Sequence, residues 1–157
     1  QCCVSAIRIR AVARLQHTGG MSHDNLVPML HCCWVSEMMI VLPFYELGSL
    51  RTVLKEKRWQ EDKEHLTWAK DGALLKLAIG IASGMQFLHE FKDTEGNPKP
   101  IYHRDLKGDN ILIEGSKSDP PAKWKVRISD FGESKEAYFH ETMTQAGTYL
   151  YMAPEGV

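Results

Sequence analysis

The most informative segment of this 157-residue sequence is His103-Arg104-Asp105-Leu106-Lys107-Gly108-Asp109-Asn110. Two shorter segments follow it, Asp130-Phe131-Gly132 and Ala153-Pro154-Glu155. A three-residue string recurs by chance in unrelated proteins, whereas an eight-residue string that combines carboxylates, a lysine and an amide is specific. The occurrence of all three in this order makes coincidence negligible, so they are interpreted together.

The sequence before these motifs predicts a helix followed by strands. In residues 4–17, apolar side chains are mixed with basic ones, which predicts the end of a surface helix that the Gly19-Gly20 pair breaks. Residues 29–42 are rich in apolar and β-branched side chains and predict two strands joined by a tight turn. Pro43 ends the second strand, because proline has no N–H to donate to a sheet. Ser49 is the predicted cap of a short helix that begins at Leu50.

The remaining sequence alternates between polar connections and regular elements. Residues 55–65 are mostly charged or polar and predict a solvated connection, and residues 92–100 predict a loop. Between them, apolar residues recur at steps of three and four, which predicts a core helix: Leu74, Leu77, Ala78, Ile81, Ala82, Met85 and Leu88. Residues 111–113 and 126–128 predict short strands around an insertion near Pro120. Because strands and helices are segregated, the predicted fold class is α+β.

Composition and charge restrict the class of protein. The length fits one domain of roughly 100–200 residues, and the formal net charge of −1 does not indicate binding to nucleic acid. No apolar run approaches the roughly 20 residues that span a bilayer, and no signal peptide opens the sequence. The cysteine pairs Cys2-Cys3 and Cys32-Cys33 lack zinc-site spacing, which favours reduced, buried thiols in the cytoplasm over a cross-link between the pairs.

Taken together, the three motifs resemble the signature set of the eukaryotic protein kinases. The resemblance extends over essentially the whole chain and implies a partial bilobal kinase fold. Residues 1–43 would belong to the small lobe, and residues 44–157 to the large lobe through the activation segment, with the hinge near residues 43–46. The residue types in the catalytic loop and at Gly147-Thr148 are similar to those of serine/threonine kinases, especially the tyrosine-kinase-like group.

The resemblance also implies a role for each motif residue. Phosphoryl transfer depends on positioning and on neutralising negative charge. Asp105 would be the base for the incoming hydroxyl, Lys107 would contact the transferring phosphate, and Thr148 would steady the aspartate. Asn110 and Asp130 would supply the hard oxygen ligands that magnesium prefers.

An ATP site is expected upstream of these residues, again by resemblance. Leu42 occupies the gatekeeper position, and the Pro43 carbonyl and the Tyr45 backbone would face the adenine edge. Leu112 would form the floor under the adenine. Lys107 and Asp130 would complete the nucleotide site, with ATP and magnesium as the cofactors.

Partners follow from the same resemblance. A protein substrate is expected, either in the cytoplasm or on the cytoplasmic side of a membrane receptor. Arg104 precedes the catalytic aspartate, and such an arginine can pair with a phosphate on the activation segment. Candidate acceptors are Ser134, Thr142 and Thr144, modified by an upstream kinase or by trans-autophosphorylation.

Three features of a complete kinase do not occur in the sequence. It has no glycine-rich loop. No lysine precedes Lys55 that could be the strand lysine, and no glutamate precedes Glu37 that could be the helix glutamate. A truncated kinase explains this, as does a pseudokinase that binds partners without turnover. The catalytic and metal-binding aspartates, which degenerate kinases commonly lose, are both present and favour an enzyme. A small-molecule phosphotransferase is a weaker alternative, because an activation segment ending in Ala153-Pro154-Glu155 is typical of kinases that act on proteins.

Overall fold

The computed structural model describes residues 3–5, 21–34, 38–56, 67–68, 72–131, 135–136 and 148–151. Its strands are β1 (Cys3–Ser5), β2 (His31–Trp34), β3 (Met38–Leu42), β4 (Ile101–Tyr102), β5 (Ile111–Glu114), β6 (Lys125–Ile128) and β7 (Lys135–Glu136). Its α-helices are α1 (Leu50–Lys55) and α2 (Ala73–His89), accompanied by 3₁₀ turns at Gly108–Asn110, Pro121–Lys123 and Tyr149–Tyr151. Within these ranges no helix is both long enough and apolar enough to cross a bilayer.

The first three strands form one antiparallel sheet in the order β1-β3-β2. The pairing of β2 with β3 confirms the two strands predicted in residues 29–42, and β3 ends at Leu42, immediately before Pro43. The pairing of β1 with β3 was not predicted. The prediction of helix is wrong for Val4 and Ser5, because this segment pairs with residues almost forty positions away and local periodicity carries no record of such pairing. The rest of residues 4–17 lies outside the described residues.

The two cysteines of β2 differ in exposure. Cys32 is partly buried, whereas Cys33 is exposed. Consecutive strand residues point to opposite faces of the sheet, so adjacent cysteines cannot share one environment. The prediction of a buried thiol is therefore wrong for Cys33.

The two helices predicted after Ser49 are present. The Ser49 hydroxyl accepts a hydrogen bond from the Thr52 N–H and caps α1, as predicted, and Val53 is the buried residue of this helix. Helix α2 runs the full length of the predicted apolar stripe and buries Leu77, Gly84 and Leu88 against the rest of the chain, whereas Ala82 of that stripe is exposed.

Strands β5 and β6 pair in antiparallel register and form the predicted hairpin. The chain around Asn25 adds to the edge of β6, since the Val27 N–H donates to the Ile128 carbonyl at 2.9 Å and the Ile128 N–H donates to the Asn25 carbonyl at 2.8 Å. These two bonds attach the segment that leads to β2 to the hairpin of β5 and β6. Sheet and helices occupy separate parts of the chain, which confirms the α+β fold class.

Two hydrophobic clusters hold these elements together. The first includes Met21, Leu26, Ile40, Leu88, Phe91, Ile101, Ile128 and Phe131. The second includes Leu47, Val53, Leu77, Ile111, Ile113, Trp124 and Val126. Leu106, from the eight-residue motif, packs against both clusters. The motif therefore lies where the two clusters meet.

Candidate active site

Four of the predicted site residues meet at the carboxylate of Asp105. Lys107 Nζ lies 2.6 Å from Asp105 Oδ2 and 2.7 Å from Thr148 Oγ1. The Thr148 hydroxyl donates to Asp105 Oδ1 at 2.6 Å, and Asn110 Nδ2 lies 3.1 Å from Asp105 Oδ2. Residues 41 and 43 positions apart in the sequence thus form one hydrogen-bonded group.

This environment keeps Asp105 ionised. Burial acts to raise the pKa of Asp105, but the hydrogen bonds from Lys107, Thr148 and Asn110 act against it and hold the pKa below its usual value. The same ion pair raises the pKa of Lys107, chiefly through the hydrogen bond to Asp105. At neutral pH the pair is therefore a carboxylate and an ammonium, with two donors on Asp105 Oδ2 and one on Oδ1.

The backbone of this loop is fixed by His103, which is 1% exposed. Its Nε2 lies 2.9 Å from the Ser129 carbonyl, and its Nδ1 accepts a hydrogen bond from the Asp105 N–H at 3.4 Å. Burial lowers the pKa of His103, so the ring is neutral at neutral pH. Because Nδ1 is an acceptor, the proton lies on Nε2, which donates a hydrogen bond to the Ser129 carbonyl. Arg104 turns the chain with a φ of 63°. His103 is thus a packing and hydrogen-bonding residue.

Asn110 lies at the end of the 3₁₀ turn that begins at Gly108. Its amide nitrogen donates to the Asp105 carbonyl at 2.8 Å. The backbone carbonyl of Asn110 accepts one hydrogen bond from the Ser129 hydroxyl at 3.0 Å and one from the Ser129 N–H at 2.8 Å. The sequence interpretation missed Ser129, although a small hydroxyl residue directly before Asp130 is a signal that could have indicated it.

Asp130 follows β6 and is exposed, with a φ of 61°. No group of three or more histidine, cysteine, aspartate or glutamate side chains that could hold a metal occurs in the described residues. The predicted magnesium ligands are instead one carboxylate, Asp130, and one amide oxygen, Asn110. The Asn110 amide nitrogen is directed at Asp105, which leaves the oxygen as the atom available to a cation. This oxygen-only donor set fits magnesium.

Of the predicted adenine residues, Leu42 ends β3, Pro43 and Tyr45 follow it, and Leu112 lies in β5. Leu42 packs against the first hydrophobic cluster. The Tyr45 carbonyl accepts a hydrogen bond from the Gly48 N–H at 3.0 Å, so one of the two Tyr45 backbone groups assigned to adenine already has a partner in a turn. The Gly48 carbonyl in turn accepts from the Ile113 N–H at 2.9 Å, which brings this segment alongside β5.

Leu112 lies on the face of β5 opposite to the buried Ile111 and Ile113, and is partly buried. The pKa of Tyr45 is raised by burial and, to a smaller extent, by Glu114, while Arg127 acts to lower it. Arg127 is the cross-strand partner of Leu112 and pairs with Glu114, Nε to Oε2, at 2.7 Å. Tyr45 and Leu112 are therefore associated with the same hairpin.

Comparison with known proteins resolves the identity of the fold. The family model described as the protein kinase domain matches residues 7–157. The chain belongs to the protein kinase family. It is 36% identical over 149 residues to the serine/threonine-protein kinase BRI1-like 1 of Arabidopsis thaliana, covering 92% of this chain and 12% of that protein. It is 33% identical over 154 residues to mitogen-activated protein kinase kinase kinase 10 of Mus musculus, covering 97% of this chain and 15% of that protein.

The probable serine/threonine-protein kinase roco8 of Dictyostelium discoideum is 39% identical over 136 residues, covering 87% of this chain and 7% of that protein. This kinase domain segment thus spans a small part of the length of the relatives it matches. Gly132, the activation-segment acceptors Ser134, Thr142 and Thr144, and the Ala153-Pro154-Glu155 motif lie outside the described residues.

Proposed function

We propose that this kinase domain transfers the terminal phosphoryl group of ATP to serine or threonine hydroxyls of protein substrates. The observation that supports this proposal most directly is the ionised Asp105 carboxylate, which is bound by Lys107 Nζ and by the Thr148 hydroxyl at 2.6 Å each. A carboxylate in this state can accept a proton, and an adjacent ammonium can accompany a negatively charged group during transfer.

In the proposed reaction, the substrate hydroxyl donates its proton to Asp105 as its oxygen forms a bond to the terminal phosphorus. The bond between that phosphorus and the bridging oxygen breaks, and ADP leaves. Lys107 lies beside Asp105 and contacts the phosphoryl oxygens as a compact positive charge. Thr148 holds both side chains, so their separation is set before the substrate arrives.

Asn110 and Asp130 would hold magnesium, which neutralises phosphate charge when bound. Asn110 is fixed for this role by Ser129 and by the Asp105 carbonyl. For the nucleotide base, Leu42 and Leu112 would provide the apolar surfaces. The Pro43 carbonyl and the Tyr45 N–H would meet the adenine edge.

Serine/threonine specificity is proposed for two reasons. The Lys107–Thr148 hydrogen bond involves the two residues whose types resemble serine/threonine kinases. The printed names of the relatives above include serine/threonine-protein kinases of a plant and of an amoeba. Membership of the tyrosine-kinase-like group is proposed on the wording of the motifs.

The remaining assignments are also proposals. The boundary between the lobes is placed after Pro43, because the first sheet ends at Leu42. Activation by an upstream kinase or by trans-autophosphorylation is proposed from Arg104. The cytoplasm, or the cytoplasmic side of a membrane receptor, is the proposed location.

The test is Asp105→Asn in the full-length protein that contains this domain. Asparagine preserves the shape of the side chain but cannot accept the proton, so we expect transfer of labelled phosphate to a generic protein substrate to fall by roughly 100- to 10,000-fold. Asp24→Asn, an exposed aspartate in a turn, is the matched control and should keep full activity. Full activity in Asp105→Asn would refute the role of base. An unsubstituted protein that binds ATP without transferring phosphate would instead be a pseudokinase.

A further inference from the structure

The 3₁₀ turn at Gly108–Asn110, here called the catalytic turn, packs directly on helix α1. A Cβ atom added to Gly108 would lie 3.3 Å from the Cβ of Arg51 and 3.4 Å from its backbone nitrogen. The first turn of α1 therefore fills the space where a side chain at position 108 would stand. The catalytic turn begins directly after Lys107 and ends with Asn110, so its orientation sets the position of both side chains relative to Asp105.

An ion pair reinforces this packing. Arg51 Nη1 lies 2.9 Å from Asp109 Oδ2, with side chains 49% and 40% exposed, respectively. The hydrogen bond to Asp109 and the charge of Asp109 raise the pKa of Arg51, and the nearby Tyr151 adds to this. Asp109 is therefore a partner in an ion pair as well as a partly exposed residue. The partners are 58 positions apart in the sequence.

Helix α1 is itself firmly held, so it can serve as a support for the catalytic turn. Ser49 caps its start, and Val53 is 1% exposed within the second hydrophobic cluster. The Gly48 carbonyl, just before the helix, is bonded to Ile113 of β5. Arg51 is thus a side chain on a fixed base that reaches the middle residue of the catalytic turn.

We infer that Arg51 is a positioning residue for phosphoryl transfer, acting through Asp109 to hold the catalytic turn and thereby Lys107 and Asn110 in register with Asp105. This inference rests on the proposed function. In this role Arg51 acts through its contact with Asp109 and needs no contact with ATP or the substrate hydroxyl. Its loss should affect the turnover number kcat and the magnesium concentration needed for half-maximal rate, and should leave the KM for ATP unchanged.

The size of the effect follows from the exposure of the pair. Exposed ion pairs contribute little to stability, and salt screens them. We expect Arg51→Gln to lower kcat by roughly two- to fivefold, with the difference from the unsubstituted protein shrinking at high ionic strength. Asp109→Asn should give a similar decrease. The double variant should be no worse than either single variant, since both remove one interaction.

The experiment measures kcat, KM for ATP and magnesium dependence in the full-length protein for these three variants and for Arg51→Lys. Lysine keeps the charge and should restore part of the rate. Lys55→Gln removes the same charge from the end of the same helix and should change none of these parameters. Lys55 has no ion pair within the described ranges, which makes it a matched control.

A second measurement is independent of turnover. Hydrogen exchange of the peptide that contains Gly108–Asn110 should be faster in Arg51→Gln than in the unsubstituted protein and in Lys55→Gln. Unchanged exchange, or a fall in melting temperature with unchanged kcat and magnesium dependence, would overturn the inference. If the unsubstituted protein transfers no phosphate, the proposed function fails, and the exchange measurement alone still decides whether Arg51 holds the turn.

Discussion

At the scale of single residues, the charge of Asp105 depends on surroundings that shift its pKa in opposite directions. Burial disfavours its ionised form, and three donors favour that form, namely Lys107 and Asn110 from its own loop and Thr148 from farther along the chain. Thr148 is the donor farthest away in the sequence, and its hydroxyl both donates to Asp105 and accepts from Lys107. A single hydroxyl therefore fixes the geometry of the pair.

Replacing Thr148 by valine tests this geometry. Valine preserves the branched shape but removes the hydroxyl, so Asp105 loses one donor and Lys107 loses one acceptor. Because hydrogen bonds to charged groups contribute about 1.5–3 kcal/mol, we expect kcat to fall by roughly 10- to 100-fold. Thr148→Ser keeps the hydroxyl and should stay within about threefold of the unsubstituted rate. Equal rates for the valine and serine variants in a phosphate-transfer assay would show that the hydroxyl has no positioning role.

The resemblance to protein kinases implied that Asp105, Lys107, Asn110 and Thr148 form one site, and the structure brings these four together. The sequence did not indicate how they are held. The contacts that Ser129 and Arg51 make depend on pairing between distant segments. Such pairing leaves no periodic pattern, and a serine or an arginine occurs in many environments.

At the scale of elements, prediction succeeded where the signal was local. The apolar stripe of α2 and the hydroxyl cap of α1 each lie within one turn or one helix, and both were predicted. Strand β1 is stabilised by its neighbour β3, and two of its three residues, Val4 and Ser5, were assigned to a helix. The turn bond that uses the Tyr45 carbonyl was also missed, because a backbone acceptor is identical in every residue.

The glycines of α2 show how packing can outweigh helix propensity. A Cβ added to Gly84 would lie 2.8 Å from Ile128 Cδ1 and 3.2 Å from the Asn25 carbonyl oxygen. Alanine normally stabilises an exposed helix position by about 1 kcal/mol relative to glycine. At this position it would push α2 away from β6 and from the segment around Asn25.

We therefore expect Gly84→Ala to lower the free energy of unfolding by about 1–3 kcal/mol, the usual range for overpacking a core. Urea titration followed by circular dichroism measures it. Ala82→Gly, at an exposed position of the same helix, gives the propensity effect alone and should lower stability by about 1 kcal/mol. A Gly84→Ala variant more stable than the unsubstituted protein would mean that α2 and β6 are less closely packed than the structure shows.

At the scale of the whole molecule, the two hydrophobic clusters are bridged by the motif that carries the proposed chemistry. Leu106 lies between Asp105 and Lys107 and packs against both clusters. Asp105 and Lys107 flank Leu106 in the chain, so the position of both depends on how Leu106 packs in the core. Stability and catalysis are therefore coupled at this leucine, and a change in packing there should be detected in both.

Leu106→Ala tests that coupling. The substitution leaves a cavity where the clusters meet, and because Leu106 is only partly buried we expect a loss of about 2 kcal/mol in the free energy of unfolding, the low end for buried leucines. The rate of phosphate transfer should fall as well, even at temperatures where the variant is fully folded, because Asp105 and Lys107 lose their shared support. Leu54→Ala, at a leucine that is 44% exposed, is the control and should change stability by less than about 0.5 kcal/mol. A Leu106→Ala variant that unfolds more easily yet transfers phosphate at the full rate would separate the two roles and assign Leu106 to the core alone.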